Sequence, residues 1–245
     1  MTNRLGGKVA LVTGGAGGMG YAHARAIVAE GGSVVIADVD DARGPKIAAK
    51  LGPEAMYVHL DVTSTDEWTD AVAVTKATFG KLNVLVNNAG ILGFSPIAEY
   101  TDHDWERIIG INLTGTFKGI RAAMPVLVES APSSIINVSS TAGLKGFSGV
   151  AGYNASKFGV RGLTKSVAVE VAQHGVRVNS VHPGNVETKM IDGFFDGFPH
   201  VPMKRAGRPA EISDLIVFLA SDESSFSTGA EFIADGGETA GLPAH

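Results

Sequence analysis

Short apolar runs alternate with longer segments of helical spacing along the chain. The runs "KVALVT" and "SVVIAD" are rich in β-branched residues, which is typical of strands buried on both faces of a sheet. Five later runs are bounded by turn-forming or cap-forming residues in the same way. Strands are therefore predicted at 8–13, 33–38, 55–63, 82–90, 133–140, 176–184 and 230–237.

The intervening segments carry apolar residues three and four positions apart, with helix-end signals beside them. Ser64 is placed to cap one helix and Gly80 to end it. Pro45 fits the first turn of a shorter helix, and Pro125 is expected to kink the last turns of a long one. Helices are predicted at 18–32, 41–52, 64–80, 102–129, 152–174 and 209–221.

Repeated strand–helix–strand units predict one α/β domain over 1–245, a doubly wound Rossmann-type parallel sheet of about seven strands with helices on both faces. The one long irregular stretch, at about 185–208, is expected to be a substrate-binding loop, since loops of that length are usually functional. Whether its large apolar residues form a lid or only packing stays open. They are Met190, Phe194, Phe195, Phe198, Pro202 and Met203.

Composition narrows the class of protein. The chain is 44% apolar and 18% charged, as globular proteins are, and its net charge of −5 argues against nucleic acid as a partner. Without cysteine there are no disulfides and no thiolate metal sites. The start lacks a signal-peptide layout, and no apolar run approaches the roughly 18 residues of a membrane span. We therefore expect a cytoplasmic protein without a membrane partner.

Histidine spacing gives no indication of a metal site. None of the seven histidines lies in an HExxH motif or a paired ligand pattern. Each is expected to be a surface or capping residue, and no metal is predicted. They are His23, His59, His103, His174, His182, His200 and His245.

A glycine-rich turn, "TGGAGGMG", joins the first strand to the first helix. Glycines let the backbone approach a ligand closely, and a helix N-terminus favours an anion. The spacing of Gly14, Gly18 and Gly20 departs from GxGxxG, and a simple tight turn is the alternative. The sequence favours a phosphate cradle once the next strand is considered.

Asp38 ends the second predicted strand, 18 to 24 residues after these glycines. An acid at that distance binds a ribose diol, although capping the next helix is the alternative. A carboxylate would repel a 2′-phosphate by roughly 4 kcal/mol at about 4 Å and an effective dielectric of about 20. The glycine turn has no Arg or Lys to receive such a phosphate. NAD is therefore predicted over NADP.

Tyr153 and Lys157 lie four positions apart in one predicted helix, so their side chains share a face. A lysine cation about 5 Å away stabilises a phenolate by roughly 3 kcal/mol, and an oxidised nicotinamide adds to this, which makes the tyrosine a usable acid or base. The alternative is a core tyrosine beside a solvated lysine. Ser139 and Ser140 end the preceding strand, at the edge where such sheets bind ligands, and this position favours catalysis.

Seven motifs, in order and at the family spacing, resemble those of the short-chain dehydrogenase/reductase family over nearly the whole chain. No catalytic position departs from the family pattern. The motifs are "TGGAGGMG", "LDVT" at 60–63, "NNAG" at 87–90, "INLTG" at 111–115, "NVSS" at 137–140, "YNASK" at 153–157 and "VHPGNVET" at 181–188.

The resemblance implies a catalytic role for four residues. Tyr153 would be the acid/base, and Lys157 would lower its pKa and hold the nicotinamide ribose. Ser140 would hydrogen-bond the substrate oxygen, with Ser139 as the alternative. Asn112 would support the lysine through a water, or else it is a helix-interior amide bonded to backbone.

The resemblance also implies the cofactor-binding set. Asp61 would face the adenine and Thr188 the carboxamide. The set is Gly14, Gly18, Met19, Gly20, Asp38, Asp61, Val62, Asn88, Ala89, Gly90, Tyr153, Lys157, Pro183, Val186 and Thr188.

Segments such as "YNASKFGVRGLTKSVAVE" are similar to those of bacterial 3α/20β-hydroxysteroid dehydrogenases. This similarity implies hydride transfer between NAD(H) and a hydrophobic secondary alcohol or ketone, with a hydroxysteroid as candidate. A 3-oxoacyl thioester reductase is one alternative, and a non-catalytic nucleotide-sensing scaffold is another. Asp38 disfavours the first, and the complete Asn–Ser–Tyr–Lys set disfavours the second. The family further implies a homotetramer, formed through the two long helices and the last strand.

Overall fold

Seven parallel strands form a single sheet in the computed structural model, which describes residues 3–190 and 198–241. The strand order is β3-β2-β1-β4-β5-β6-β7. The predicted doubly wound Rossmann-type sheet is thereby confirmed. The strands are β1 (Val9–Thr13), β2 (Ser33–Asp38), β3 (Ala55–His59), β4 (Val84–Asn87), β5 (Ser133–Val138), β6 (Val176–Pro183) and β7 (Glu231–Ala234).

Helices cover both faces of the sheet, because the central strands are apolar on both sides. The first face carries α1, α2 and α7, and the second carries α3, α5 and α6. Among the described residues, no helix has the length and apolar character to cross a bilayer. The helices are α1 (Gly18–Ala29), α2 (Gly44–Leu51), α3 (Thr65–Phe79), α4 (Asp102–Ile109), α5 (Gly115–Glu129), α6 (Ala151–Val171) and α7 (Pro209–Ala220).

Local sequence signals act at the predicted helix ends. The Ser64 side chain accepts a hydrogen bond from the backbone N–H of Glu67 at 3.3 Å, which caps α3. Gly80 ends that helix with a φ of 79°, a left-handed conformation that favours glycine. Pro45 lies in the first turn of α2. These three predictions are confirmed.

The helix predicted over 102–129 is interrupted. A π-helical turn, Gly110–Thr114, separates α4 from α5, and Pro125 lies inside α5. Asn112 sits in this turn and bonds to the backbone of Ile91, outside the helix. The apolar periodicity shows helical segments but not the one extra residue that a π turn accommodates.

Successive connections change direction between β1 and β4, which lie side by side although β2 and β3 precede β4 in the chain. In open α/β sheets, ligands bind beyond the carboxyl ends of the strands at such a switch point. The glycine turn after β1 and the "NNAG" segment after β4 meet at this position.

Candidate functional site

A cavity of about 600 Å³ opens at the carboxyl ends of β5 and β6, and most of its wall is apolar. Six residues predicted for catalysis or cofactor binding line it: Met19, Ser140, Tyr153, Pro183, Val186 and Thr188. Other lining residues come from segments that were not predicted, and they include Leu92, Phe94, Val150 and Glu238.

Helix α6 places Tyr153 and Lys157 together. The Lys157 ammonium lies 5.5 Å from the centroid of the Tyr153 ring and donates a hydrogen bond to the Val138 carbonyl at 2.9 Å. The lysine is 4% exposed, and this burial lowers its pKa to about 8. The predicted pairing of the two side chains on one face is therefore present.

Burial raises the pKa of the Tyr153 hydroxyl, and its hydrogen bond with Ser140 opposes that rise. A lowered pKa was expected from the sequence, and the protein alone does not produce one. The reason is that desolvation of the phenolate exceeds the stabilisation that Ser140 supplies. The expectation also included the positive charge of an oxidised nicotinamide, and that charge comes from the cofactor and not from the protein.

Ser139 and Ser140 separate into two roles. The Ser139 hydroxyl is buried and donates to the Lys157 backbone carbonyl at 3.0 Å. Ser140 hydrogen-bonds with Tyr153 instead. The geometry therefore favours Ser140 as the hydroxyl that meets the substrate.

His182 lies directly behind Ser140. Its Nδ1 is 3.0 Å from the Ser140 carbonyl, and its Nε2 is 2.8 Å from the Ser180 hydroxyl. His182 and His23 are both fully buried, so the prediction that all histidines are surface or capping residues is wrong for these two. The i, i+2 spacing of Ser180 and His182 in a strand is the signal that could have indicated a shared face.

Asn112 clamps the segment that follows β4. Its Oδ1 accepts from the Ile91 N–H at 2.8 Å, and its Nδ2 donates to the Ile91 carbonyl at 2.9 Å and to Ser156 at 3.1 Å. A Cβ placed on Gly90 would lie 3.3 Å from the Asn112 Oδ1 and 3.5 Å from the Lys157 Nζ. The side chain is thus bonded to backbone, and its support of the lysine stays a prediction.

The glycine turn packs tightly against the start of α1. Gly14 has a φ of 63°, and a Cβ on Gly20 would lie 2.1 Å from the Gly14 carbonyl oxygen. No described side chain caps the N-terminus of α1, and a Cβ on Gly18 would lie 3.6 Å from Thr188. This arrangement fits the phosphates of a dinucleotide, since exposed N–H groups at a helix start bind anions.

Thr13 joins the ends of β1 and β4. Its hydroxyl accepts from the N–H groups of Asn88 and Ala89 at 3.0 and 2.9 Å, and the Asn88 Nδ2 donates to the Thr13 carbonyl at 2.9 Å. The Asn88 Oδ1 is buried and finds no partner among the described residues. An unpartnered acceptor beside Gly14 fits a cofactor hydroxyl, since buried polar groups normally have partners.

Asp38 lies against the glycine turn. Its carboxylate accepts from the Ala16 N–H at 2.9 Å and from the Asp40 N–H at 3.1 Å. The helix-cap alternative is wrong, because α2 starts later, with Arg43 at the cap position. The Arg43 guanidinium lies about 3.3 Å from where a Cβ on Gly17 would be. Composition of the turn alone did not indicate this neighbouring positive charge.

Asp61 and Val62 follow β3 at the same edge, outside the cavity lining. The backbone N–H of Leu60 donates to the Asp38 carbonyl at 3.0 Å, which sets Asp61 close to the end of β2. One Asp61 oxygen is occupied by the N–H and hydroxyl of Thr63, both at 2.8 Å.

In the predicted binding loop, Met190 lines the cavity and Met203 is 59% exposed. The predictions for Phe194, Phe195 and His245 lie outside the described residues. Within 3–190 and 198–241, no three His, Cys, Asp or Glu residues are arranged to hold a metal ion.

The family model and the relatives that match this chain are all described as reductases or dehydrogenases. A family model described as enoyl-(acyl carrier protein) reductase matches residues 14–239. A 3-alpha-(or 20-beta)-hydroxysteroid dehydrogenase of Mycobacterium tuberculosis is 54% identical over 242 residues, 99% of this chain and 93% of the relative. A trans-4-hydroxycyclohexanecarboxylate dehydrogenase of Sinomonas cyclohexanicum is 48% identical, over 98% and 96% of the two chains. A cyclopentanol dehydrogenase of Comamonas testosteroni is 41% identical, over 97% and 99%.

Proposed function

Because this chain belongs to the short-chain dehydrogenase/reductase family, we propose that it uses NAD(H) on a cyclic secondary alcohol, with a hydroxysteroid as the first candidate. Membership also makes the chain an oxidoreductase that interconverts alcohols and ketones with a nicotinamide cofactor. The observation that supports this most is the placement of Ser140 and Tyr153 in the wall of an apolar cavity of about 600 Å³, with Lys157 beside Tyr153.

Ser140, Tyr153 and Lys157 have separate roles in the reduction of a ketone. The Ser140 and Tyr153 hydroxyls, hydrogen-bonded to each other, are placed to bind one carbonyl oxygen together. The nicotinamide, when bound, supplies the hydride to the carbon. Tyr153 gives its proton to the oxygen, and in the reverse direction it removes the alcohol proton. Lys157 stabilises the resulting phenolate through its charge.

Three features hold the machinery in position. His182 contacts the Ser140 carbonyl, Ser139 ties the start of α6 to β5, and the Val138 carbonyl fixes the Lys157 ammonium. Such contacts restrict rotamers, and catalysis depends on a pre-organised geometry.

The substrate class is proposed from the cavity and from the relatives. The wall is mostly apolar, which suits a hydrophobic ring system. The relatives are named for a hydroxysteroid, a hydroxycyclohexanecarboxylate and cyclopentanol. Each of these substrates carries a secondary alcohol on or beside an aliphatic ring.

The preference for NAD is proposed from Asp38. Its carboxylate beside the glycine turn would repel a 2′-phosphate and accept from ribose hydroxyls. Arg43, close to Gly17, acts in the opposite direction, because a guanidinium binds phosphate well. We expect the carboxylate to dominate, since it is anchored by two backbone N–H groups.

We extend the proposal to a cytoplasmic homotetramer, as the family resemblance implies. Its support is the exposure of large apolar side chains on two long helices and the last strand. These are Phe117 on α5, Phe158 on α6 and Ile233 on β7, which are 42%, 42% and 49% exposed.

The test is the initial rate of NADH oxidation with three ketones, a 20-ketosteroid, cyclohexanone and acetoacetyl-CoA, repeated with NADPH. Acetoacetyl-CoA is included because a 3-oxoacyl thioester reductase is the alternative enzyme. Fast steroid reduction with NADH supports the whole proposal. Reduction of cyclohexanone alone would rule out a steroid as the substrate. Reduction of acetoacetyl-CoA alone would favour a 3-oxoacyl thioester reductase.

Tyr153→Phe separates catalysis from binding. It removes only the hydroxyl, so NADH should still bind while turnover falls by roughly 10²- to 10⁴-fold. Turnover within a factor of a few of wild type would contradict the role given to the tyrosine. NADH binding by the wild-type protein without turnover of any ketone would instead favour the nucleotide-sensing scaffold.

A further inference from the structure

A buried carboxylate lies in the cavity wall, and neither the fold nor the mechanism above uses it. Glu238 follows β7, and its side chain is 2% exposed. Neither carboxylate oxygen accepts a hydrogen bond within the described part of the chain. An ionised group buried in this way is costly unless another charge compensates it.

Two side chains from distant segments face this carboxylate. The Lys145 Nζ is 3.2 Å from its Oε1, and the His200 Nε2 is 3.8 Å from the same oxygen. Lys145 lies between β5 and α6, and His200 precedes α7. All three residues line the cavity.

Lys145 is held from two sides. Its ammonium lies beside Glu238 and also 5.0 Å from the centroid of the Phe147 ring, which favours a cation. The side chain is still 40% exposed, so the ammonium is not enclosed. An ammonium has three N–H groups and no acceptor, and it can therefore donate to a ligand in the cavity.

Charge limits what Lys145 can bind. Glu238 already neutralises it, and an anionic ligand group would approach the buried carboxylate as well as the ammonium. A neutral carbonyl or hydroxyl oxygen avoids this repulsion and needs only a donor. The rest of the wall offers mainly apolar contacts, so a directed donor there would fix the orientation of a ring system.

We propose that Lys145, positioned by Glu238, forms a subsite for a second, neutral oxygen of the substrate, separate from the oxygen that reacts at Tyr153. This inference rests on the proposed function, since it concerns the substrate of the same cavity. The substrate class is therefore a ketone that carries a further carbonyl or hydroxyl oxygen. Lys145 binds this oxygen, and Glu238 is a positioning residue.

The test compares pairs of ligands that differ only in this second oxygen. One pair is pregnane-3,20-dione and 3-methylenepregnan-20-one, and a shorter pair is cyclohexane-1,4-dione and 4-methylenecyclohexanone. Equilibrium dialysis gives the dissociation constants, and the rate of alcohol formation gives kcat/KM. The methylene group keeps the shape of the carbonyl and removes its acceptor.

The measured quantity is the affinity for the dione divided by the affinity for its methylene counterpart. This ratio is compared between wild type and Lys145→Met. For the pair that spans the site, the ratio should fall by about tenfold or more, as expected for losing a hydrogen bond to a charged group. Lys76→Met is the control, because Lys76 forms a surface ion pair with Glu129. It should leave both ratios unchanged.

Glu238→Gln tests the positioning role. It keeps the shape but removes the charge that holds Lys145, so the diones should bind more weakly while the methylene ligands bind as before. Equal weakening of both ligands would show a structural effect only and would overturn the role. Ratios that do not respond to Lys145→Met in either pair would overturn the subsite.

Failure of the two proposals can be told apart. Binding does not require turnover, so a ratio that depends on Lys145 supports the subsite even if no ketone is reduced. Normal reduction of ketones with unresponsive ratios would leave the dehydrogenase proposal intact and remove the subsite alone.

Discussion

Ser139 and Ser140 are chemically alike and adjacent, yet only one hydroxyl faces Tyr153. Successive side chains at a strand end point in opposite directions, so neighbours have different surroundings. The sequence could limit the substrate-facing hydroxyl to these two. It could not choose between them from the residues alone, because the choice depends on how Ser139 reaches the Lys157 carbonyl.

Cofactor preference is decided at the residue scale by Asp38 and Arg43. Asp38→Ala removes the repulsion of a 2′-phosphate and leaves the guanidinium nearby, so the ratio of kcat/KM for NADPH to NADH should rise at least about tenfold. Initial rates with both cofactors measure it.

The double variant Asp38→Ala with Arg43→Ala is the matched control. It should recover little NADPH activity, because both the repelling and the attracting charge are gone. An unchanged preference in the single variant would remove the ribose role of Asp38.

His23 makes stability depend on acid pH. It lies on α1 and faces α7, with its Nδ1 2.8 Å from the Ser213 hydroxyl, and burial lowers its pKa to about 3. In the unfolded chain a histidine titrates near pH 6.5. Between these values the unfolded state binds more protons, so the free energy of unfolding falls as pH falls, by at most about 1.4 kcal/mol per pH unit for this residue.

Urea unfolding at pH 7.5, 6 and 5 measures this slope. His23→Gln should reduce it, since no proton then binds at that position on unfolding. His103→Gln should leave it as in wild type, because the His103 side chain is 83% exposed. Equal slopes in wild type and His23→Gln would contradict the assignment.

At the scale of elements, the contact between the glycine turn and α1 is tightly constrained, because backbone meets backbone there. Gly20→Ala would place a carbon 2.1 Å from the Gly14 carbonyl oxygen, so the helix must move away from the turn. NADH affinity should fall by about tenfold or more, because one displaced phosphate contact costs 1.5 kcal/mol or so. Fluorescence titration with NADH measures it.

Gly162→Ala is the matched control for this substitution. Gly162 lies in α6 with open space around it, and alanine favours helices over glycine. This variant should bind NADH as wild type does. A Gly20→Ala protein with unchanged affinity would show that the turn does not hold the cofactor.

Helices and strands were predicted well where local physics decides them. Local sequence predicts the features that depend on residues close together in the chain. These are the buried β-branched runs, the Ser64 cap and the Gly80 end. The π turn was missed because it depends on Asn112 bonding to Ile91, a contact across 21 positions. Long-range pairing leaves little trace in the local pattern.

At the scale of the whole molecule, the exposed apolar side chains bear on assembly. We expect a tetramer of about 101 kDa, four times the 25.3 kDa chain, in size-exclusion chromatography with light scattering. Phe158→Glu would put a charge on the α6 face and should yield smaller species.

Val74→Glu is the control for assembly, since Val74 has a similar exposure of 40% but lies on α3, which carries none of Phe117, Phe158 and Ile233. It should leave the mass unchanged. A monomeric wild-type protein would contradict the tetramer.

The Lys145–Glu238–His200 cluster shows what could not be predicted from sequence. The three residues lie in separate segments, and only the closure of the fold brings them to one wall. None belongs to a motif, and each alone would be taken for a surface charge. The motif residues could be predicted because their order and spacing repeat a known arrangement.

The π turn also constrains how this chain can change in length. It holds one residue more than a regular helix would, so losing one residue within Gly110–Thr114 would restore a plain α-helix and leave the faces of α5 where they are. Losing a residue from the first two turns of α5 would instead rotate the rest of that helix by about 100°, and the buried Ala123 and Leu127 would turn away from the core. During divergence, changes of one residue in length should therefore occur at the π turn and not inside α5.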